Sequence, residues 1–139
     1  MPKRIAQFSL LVPDYDPAIA FFTAIGFALA EDSDLGGGKR WVRVALPGSR
    51  TEMLLARAVN NRQASAIGEQ GGGRVWLFLE TEDFDPDLQR LKQAGAVVEA
   101  APRDEPYGRV VVWQDPFGNR WDLIQYTEPD RSGTDQSSG

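Results

Sequence analysis

The stretch Asp-Tyr-Asp-Pro at residues 14–17 recurs as Asp-Phe-Asp-Pro at residues 83–86, which is an offset of 69 residues. The same offset relates two further pairs of residues that end helices or form turns, Gly26 with Gly95 and Pro47 with Pro116. Chance explains one matching tetrapeptide, but not one offset shared at three separated places. The sequence therefore predicts an internal duplication.

Each copy of the repeat predicts one helix among four strands. The pattern Asp-x-Asp-Pro, where x is any residue, is typical of a helix start. An aspartate carboxylate caps the free N–H groups there, and proline is tolerated in the first turn. Gly26 and Gly95 then end the two helices. The predicted strands are residues 5–12, 27–31, 40–46 and 51–57 in the first copy, and 74–81, 97–100, 108–114 and 120–126 in the second.

These elements predict an α+β fold made of two tandem β-α-β-β-β units. Each unit covers one sheet face with its helix and leaves the other bare, so two units are expected to curve into a half-open eight-stranded barrel around a cavity. Two unrelated ferredoxin-like halves are the alternative, which the shared offset disfavours. The predicted domain is residues 1–127, with unit one at about 4–58, a polar, glycine-rich linker or lid at 59–73, unit two at 74–127, and a disordered tail at 128–139.

The composition excludes several kinds of chemistry. The 139 residues contain no histidine and no cysteine, which rules out Ser-His-Asp catalysis, thiolate chemistry and disulfides. A net charge of -5 argues against a nucleic-acid partner. No signal peptide or membrane-spanning stretch is recognised, so we expect a cytoplasmic protein without a membrane partner.

Three stretches carry a family resemblance: Leu-Val-Pro-Asp at 11–14 with Ala-Phe-Phe-Thr-Ala-Ile-Gly-Phe at 20–27, Arg-Trp-Val at 40–42, and Asp-Pro-Phe-Gly-Asn-Arg-Trp-Asp-Leu at 115–123. With them the chain resembles the vicinal oxygen chelate superfamily, which holds glyoxalase I, bleomycin resistance proteins and extradiol dioxygenases. The resemblance spans nearly all of residues 5–126 and looks like a bacterial branch. It implies a glyoxalase-like fold and a homodimer.

In metal-using members of that superfamily, the resemblance implies four cavity-facing ligands, on the first and last strand of each unit. Carried over to this chain, these positions fall on Gln7, Glu52, Trp76 and Asp122. Gln7 and Trp76 are 69 residues apart, and Glu52 and Asp122 are 70 apart. We attribute the difference to one extra residue in the last turn of unit two.

The four positions give mixed support for a metal. Gln7, Glu52 and Asp122 are oxygen donors that suit a divalent cation such as Mg²⁺ or Mn²⁺. Trp76 has only an N–H donor and cannot ligate. We therefore favour no metal cofactor, while a divalent metal on the three oxygen donors remains the alternative. Without histidine, the iron site of dioxygenases is not expected.

Aromatic residues give the predicted cavity its character. By alternation along the strand, Trp76, Phe78 and Glu80 share a face, although Glu80 has a second interpretation as a solvated strand end. Either Trp41 or Arg40 points inward. Trp76 has two equally supported interpretations, lining the cavity or filling the core, whereas Trp113 and Trp121 are predicted to fill the core.

Three functions follow from these residues. The favoured hypothesis is a protein that binds or sequesters a small planar or cationic molecule without metal, through Gln7, Trp41, Glu52, Trp76, Phe78, Glu80 and Asp122. The first alternative is a metal-dependent lyase or isomerase of the glyoxalase type, with Glu52 as base. The second is a structural or interaction module with a filled cavity. Whether the protein is an enzyme is left open.

Overall fold

The computed structural model describes residues 2–127, and these residues divide into two units between Gln70 and Gly71. Each unit contains one mixed sheet with an α-helix packed on one of its faces. Each unit also runs through the predicted order of strand, helix and further strands. The predicted α+β fold of two β-α-β-β-β units is confirmed in this respect, while the predicted tail at 128–139 lies outside the described residues.

Unit one is built on a four-stranded sheet with the strand order β1-β4-β3-β2. Strand β1 runs parallel to β4, and the other neighbours are antiparallel. The elements of the unit are β1 (Gln7–Val12), α1 (Tyr15–Ala24), β2 (Ala28–Gly36), β3 (Lys39–Ala45), β4 (Glu52–Arg57) and α2 (Asn61–Ala66).

The start of α1 and its buried face follow from the sequence. Asp14 is the N-cap, and its carboxylate accepts a hydrogen bond of 2.8 Å from the backbone N–H of Tyr15. Ala18 and Phe22, one turn apart, are fully buried. The sheet residues that are buried in this unit are Leu10, Val12, Val42, Val44, Met53 and Leu55.

Unit two is built on a sheet with the strand order β5-β9-β8-β6, in which β7 also pairs with β8. Strand β5 is parallel to β9, which repeats the arrangement of β1 and β4. The elements of the unit are β5 (Leu77–Glu80), α3 (Phe84–Ala94), β6 (Val97–Val98), β7 (Arg103–Glu105), β8 (Gly108–Gln114) and β9 (Arg120–Tyr126).

Helix α3 ends as the sequence predicts. Gly95 has a φ of 104°, in the left-handed region that favours glycine, and its N–H reaches the last carbonyl groups of the helix. Leu88 and Leu91 are buried on the sheet side. Trp113 and Trp121 stack with ring centroids 4.9 Å apart and are both buried, which confirms their predicted place in the core.

Two elements were not predicted from the sequence. The segment predicted as a linker or lid contains α2, capped by the Asn60 side chain, which accepts a hydrogen bond from the Gln63 N–H. Within residues 2–127 there are nine strands rather than eight, because the partner of β8 is divided into β6 and β7. Pro102 stands between these two strands and has no N–H to continue the ladder.

The last turn of unit two is one residue shorter than its counterpart in unit one, not one residue longer as predicted. Residues 46–51 join β3 to β4, whereas residues 115–119 join β8 to β9. The shorter turn is closed by Asp115, whose side chain binds inside the turn itself. The shorter turn changes which residues of β5 and β9 stand opposite each other at the candidate site.

Among residues 2–127, no helix has both the length and the apolar character that crossing a membrane requires.

Candidate functional site

In unit one, Gln7 and Glu52 stand directly opposite each other on the parallel strands β1 and β4. Trp41 lies on the same sheet face, because its alternation along β3 matches that of Arg43, which reaches Glu52. Arg40 lies on the helix side, with its guanidinium over the Tyr15 ring at 5.0 Å. Of the two candidates at this position, Trp41 therefore shares the face of Gln7 and Glu52.

The carboxylate of Glu52 is already engaged. Arg43 donates from Nη1 to Glu52 and from Nε and Nη2 to Glu31, at 3.0 and 2.8 Å. A hydrogen bond from the Ser33 hydroxyl, followed by the contact with Arg43, lowers the pKa of Glu31. Arg43 thus holds two carboxylates at once, and Glu52 is not a free base.

In unit two, the residue opposite Asp122 is Phe78. The backbone N–H of Trp76 donates to the Arg120 carbonyl at 2.9 Å, so Trp76 stands beside Arg120, two residues before Asp122. In unit one Gln7 stands opposite Glu52, whereas its counterpart Trp76 stands beside Arg120. The predicted equivalence of Glu52 and Asp122 by an offset of 70 is therefore wrong, because the shorter turn shifts β9 relative to β5. We call Trp76, Phe78, Glu80 and Asp122 the unit-two face. Phe78, Glu80 and Asp122 alternate to the side away from buried Leu79 and Leu123, and Trp76 comes directly before β5.

Asp122 is the chemically unusual member of this face. Its Oδ1 atom is buried and has no hydrogen-bond partner among the described residues. Burial raises the pKa of the Asp122 carboxyl, and the positive charges of Arg103 and Arg120 oppose that rise. The buried carboxylate oxygen therefore has an unused capacity to accept a hydrogen bond.

The two arginines near Asp122 are engaged with other acids. Arg120 makes a two-pronged contact with Glu99, with both nitrogen–oxygen distances at 2.8 Å. Arg103 pairs with Glu105 at 3.0 Å. Neither guanidinium forms an ion pair or a hydrogen bond with Asp122, which explains why burial is the larger influence on the pKa of this carboxyl.

The aromatic members of the unit-two face differ in exposure. Phe78 is 62% exposed, which is unusual for a phenylalanine on a sheet. Trp76 is half-buried, and its Cβ lies so close to Gly71 that a Cβ added there would stand 2.6 Å away. Glu80 is exposed at the end of β5. Trp76 thus has one side against the backbone of Gly71 and is not a fully buried core residue.

The donor set does not fit the divalent metal that the superfamily often uses. Glu52 is held by Arg43, and the indole of Trp76 cannot ligate. Among residues 2–127, no group of three or more Asp and Glu side chains is arranged to hold a metal ion. Of the alternative donors Gln7, Glu52 and Asp122, the first is a neutral amide and the second is paired with Arg43, which leaves one carboxylate without an ion pair where a hard cation requires several oxygen ligands.

Two contributors to the unit-two face were missed by sequence reasoning. Arg103 lies on the strand that was not predicted, so nothing connected its charge with Asp122. Gly71 belongs to the segment that was predicted only as a glycine-rich linker or lid. Its closeness to Trp76 depends on the folded path of the chain, which the segment itself does not encode.

A family model described as Glyoxalase/Bleomycin resistance protein/Dioxygenase superfamily matches residues 4–123. The chain belongs to this superfamily. An uncharacterized protein of Shewanella frigidimarina (strain NCIMB 400) is 43% identical over 131 residues, which cover 92% of this chain and 97% of that protein.

Solved structures agree with this assignment. UcmS2 superposes with a TM-score of 0.75 at 27% identity, over 89% of this chain and 98% of its own. TnmS3, an antibiotic binding protein from Streptomyces sp. CB03234, superposes with a TM-score of 0.66 at 29% identity, over 91% of this chain and 98% of its own. The glyoxalase-like fold predicted from the sequence is thereby confirmed.

Proposed function

We propose that this protein binds and sequesters a small planar molecule that carries a protonated nitrogen, without a metal ion. The proposed ligand lies on the unit-two face, with its ring against Phe78 and Trp76 and its nitrogen donating to Asp122. Glu80 extends the negative charge of this face.

The observation that carries the proposal is the buried, unpartnered Oδ1 of Asp122 opposite the exposed ring of Phe78. An acceptor removed from water without a partner destabilises the protein, and a donor on a ligand offsets that cost. An exposed aromatic ring offers stacking and a negative π face to a flat cation. The two features stand on neighbouring strands, so one ligand can use both.

A solved relative supports binding rather than catalysis. TnmS3 is described as an antibiotic binding protein, and it shares the fold over nearly its whole length. Catalysis of the glyoxalase type lacks a corresponding observation, because the carboxylate predicted to act as base is held by Arg43. The resemblance also motivates our proposals of a homodimer and of a cytoplasmic location, and light scattering of the purified protein tests the first of these.

Three probes of one shape and different charge test the proposal. They are 2-naphthylmethylamine, which is cationic at neutral pH, neutral 2-naphthylmethanol and anionic 2-naphthoate. We expect the amine to shift the Trp76 indole N–H resonance in two-dimensional NMR spectra, and to bind this face at least about tenfold more tightly than the alcohol. Tryptophan-to-phenylalanine variants assign the indole resonances.

Matched variants separate the unit-two face from general surface effects. Asp122→Asn and Phe78→Ala are expected to weaken amine binding, whereas Asp104→Asn and Val97→Ala, which change exposed residues of the same unit, leave it unchanged. Equal binding of the amine and the alcohol, or equal loss in the Asp122→Asn and Asp104→Asn variants, would contradict the proposal. Circular dichroism confirms that each variant is folded.

A further inference from the structure

The sheet of unit one splits between its two middle strands. Strands β3 and β4 pair only from Val44 and Met53 to Val42 and Leu55. Beyond that point β3 continues in register with β2 as far as Lys39, and β4 continues in register with β1 as far as Arg57. The two strands therefore diverge and leave a gap, which we call the fork.

The Tyr15 side chain is inserted at the fork. The backbone N–H of Arg40 donates to the Tyr15 hydroxyl at 3.1 Å rather than to a carbonyl of β4. Tyr15 is the first residue of α1 and is only 4% exposed, so its ring is fixed by the packing of that helix. The hydrogen bond to this buried tyrosine therefore holds the fork open.

A cleft of about 420 Å³ occupies the fork. One of its arms is formed by β3 and the other by β4, with additional residues from α1, α2 and the turn before β3. Side chains that line the cleft include Lys39, Arg40, Trp41, Ala56, Arg57 and Gln63. Its volume suits a bicyclic or tricyclic aromatic molecule.

The positive charges at the cleft are only partly neutralised. Arg40 pairs with Asp16 at 2.9 Å and with Asp32 at 2.7 Å. In residues 2–127, by contrast, no acidic side chain forms an ion pair with Arg57 or Lys39. The guanidinium of Arg57 lies over the Tyr15 ring, 5.4 Å from its centroid.

The two faces of the sheet supply different chemistry to the gap. Arg57 and Tyr15 lie on the side of α1, because Val12, which stands opposite Arg57, is buried there. Trp41 and Ala56 alternate to the other side. A flat ring placed in the fork therefore contacts an indole and an alanine, while a negative group on the ring can reach a half-buried guanidinium.

We infer that the fork is a second binding site, specific for a small planar molecule that carries a carboxylate. Arg57 receives the carboxylate in its two-pronged geometry, Lys39 adds positive charge at the rim, and Trp41 stacks on the ring. The preference for negative charge is the opposite of that proposed for the unit-two face. The inference does not depend on the unit-two site, since every residue of the fork belongs to unit one.

The naphthalene probes also test the fork, and NMR keeps the two sites apart. We expect 2-naphthoate to shift the Trp41 indole N–H and to leave that of Trp76 in place, whereas 2-naphthylmethylamine does the reverse. If the amine shifts the Trp76 signal but 2-naphthoate does not shift that of Trp41, the unit-two proposal is supported and the fork is overturned. If 2-naphthoate shifts the Trp41 signal but the amine does not shift that of Trp76, the fork is supported and the unit-two proposal is overturned.

Charge-matched variants complete the test. Arg57→Gln is expected to weaken 2-naphthoate binding at least about tenfold, because it removes a charge-assisted contact. Arg62→Gln removes the same charge from an exposed position on α2 that does not line the cleft, and binding should remain unchanged. Trp41→Leu, which keeps the site cationic, should also weaken binding. Equal loss in the Arg57→Gln and Arg62→Gln variants, or no binding of 2-naphthoate to the folded wild type, would overturn the inference.

Discussion

Trp121 donates its indole N–H to the buried carboxylate of Asp115, with Nε1 and Oδ2 3.0 Å apart. The same carboxylate accepts from the backbone N–H groups of Phe117 and Asn119, at 2.9 and 3.0 Å, and from the Asn119 side-chain amide at 2.9 Å. Four donors thus converge on one buried side chain. The Asp-Pro-Phe-Gly-Asn stretch is therefore a structural device that closes the last turn and ties it to the core.

Replacing Asp115 with alanine should destabilise the protein by at least about 3 kcal/mol, because four donors lose their acceptor and at least two of them stay buried. Chemical denaturation monitored by tryptophan fluorescence measures this loss. Asp104→Ala, whose side chain is 90% exposed, should change the stability by less than about 0.5 kcal/mol. Similar losses in both variants would contradict the structural role of Asp115.

The fold could be predicted because the repeat is expressed in local signals. Asp14 caps α1 through its carboxylate, and Gly95 ends α3 through its backbone N–H; both act on nearby backbone groups, which a sequence displays directly. Asp83 is the N-cap of α3 as predicted, but its side chain makes no capping hydrogen bond. Strand β7 escaped prediction, since Arg-Asp-Glu at residues 103–105 has no apolar pattern and is a strand only because β8 pairs with it. Tertiary context overrides local preference in such short segments.

The candidate site was only partly predictable, because its chemistry depends on contacts between distant residues. Alternation along β5 places Phe78 and Glu80 on one face, whereas Trp76 precedes the strand, so its place on that face stays a prediction. The ion pair between Arg43 and Glu52 links two strands, and its effect on Glu52 follows from the register between them. The fork likewise arises where a ladder stops, and no residue type marks that point in the sequence.

Gly71→Ala should displace the Trp76 side chain, because the new Cβ would lie 2.6 Å from the Cβ of Trp76. We expect a loss of stability of about 1–3 kcal/mol and a shifted Trp76 indole resonance. Gly72→Ala is the control: its φ of 67° strains an alanine, but nothing lies within 4 Å of the added Cβ. That variant should lose stability while the Trp76 resonance keeps its position, and a shift of equal size in both variants would refute the contact.

Asp122→Asn should raise the melting temperature at neutral pH. The pKa of Asp122 is raised above its ordinary value of 3.8 by burial, so the folded state binds the proton more readily than the unfolded state. Burying the charged Asp122 carboxylate lowers the free energy of unfolding at pH values above its pKa in the folded state. This destabilisation disappears as the pH falls toward 3.8. The advantage of the variant should therefore be largest at neutral pH and vanish in acid. A constant difference across the pH range would show that burial of the charge is not the cause.

Glu99→Gln should show the opposite pH dependence in the same sheet. The hydrogen bonds from Arg120, and then from Gln114, lower the pKa of Glu99 below its ordinary value of 4.5. The ionised Glu99 carboxylate therefore stabilises the fold above pH 4.5, and this stabilisation is lost as the pH falls through the lowered pKa of the folded state. The variant should be less stable than the wild type at neutral pH, by less than about 1 kcal/mol, with the difference shrinking below about pH 4. Thermal unfolding of both variants over one pH series compares the two signs directly.

The ion pair between Arg43 and Glu52 predicts how the protein responds to divalent metals. A metal ion present at a hundredfold excess over its dissociation constant would stabilise the folded state by about 2.7 kcal/mol. Because Arg43 occupies the carboxylate that a metal would need, we expect Mn²⁺, Mg²⁺ and Ni²⁺ to leave the melting temperature of the wild type unchanged. In the Arg43→Gln variant, Glu52 loses its guanidinium partner, and Gln7 stands directly opposite it as a second oxygen donor. Weak stabilisation by Mn²⁺ in this variant alone would identify Arg43 as the side chain that excludes the metal, whereas clear stabilisation of the wild type would show that Glu52 remains free to ligate.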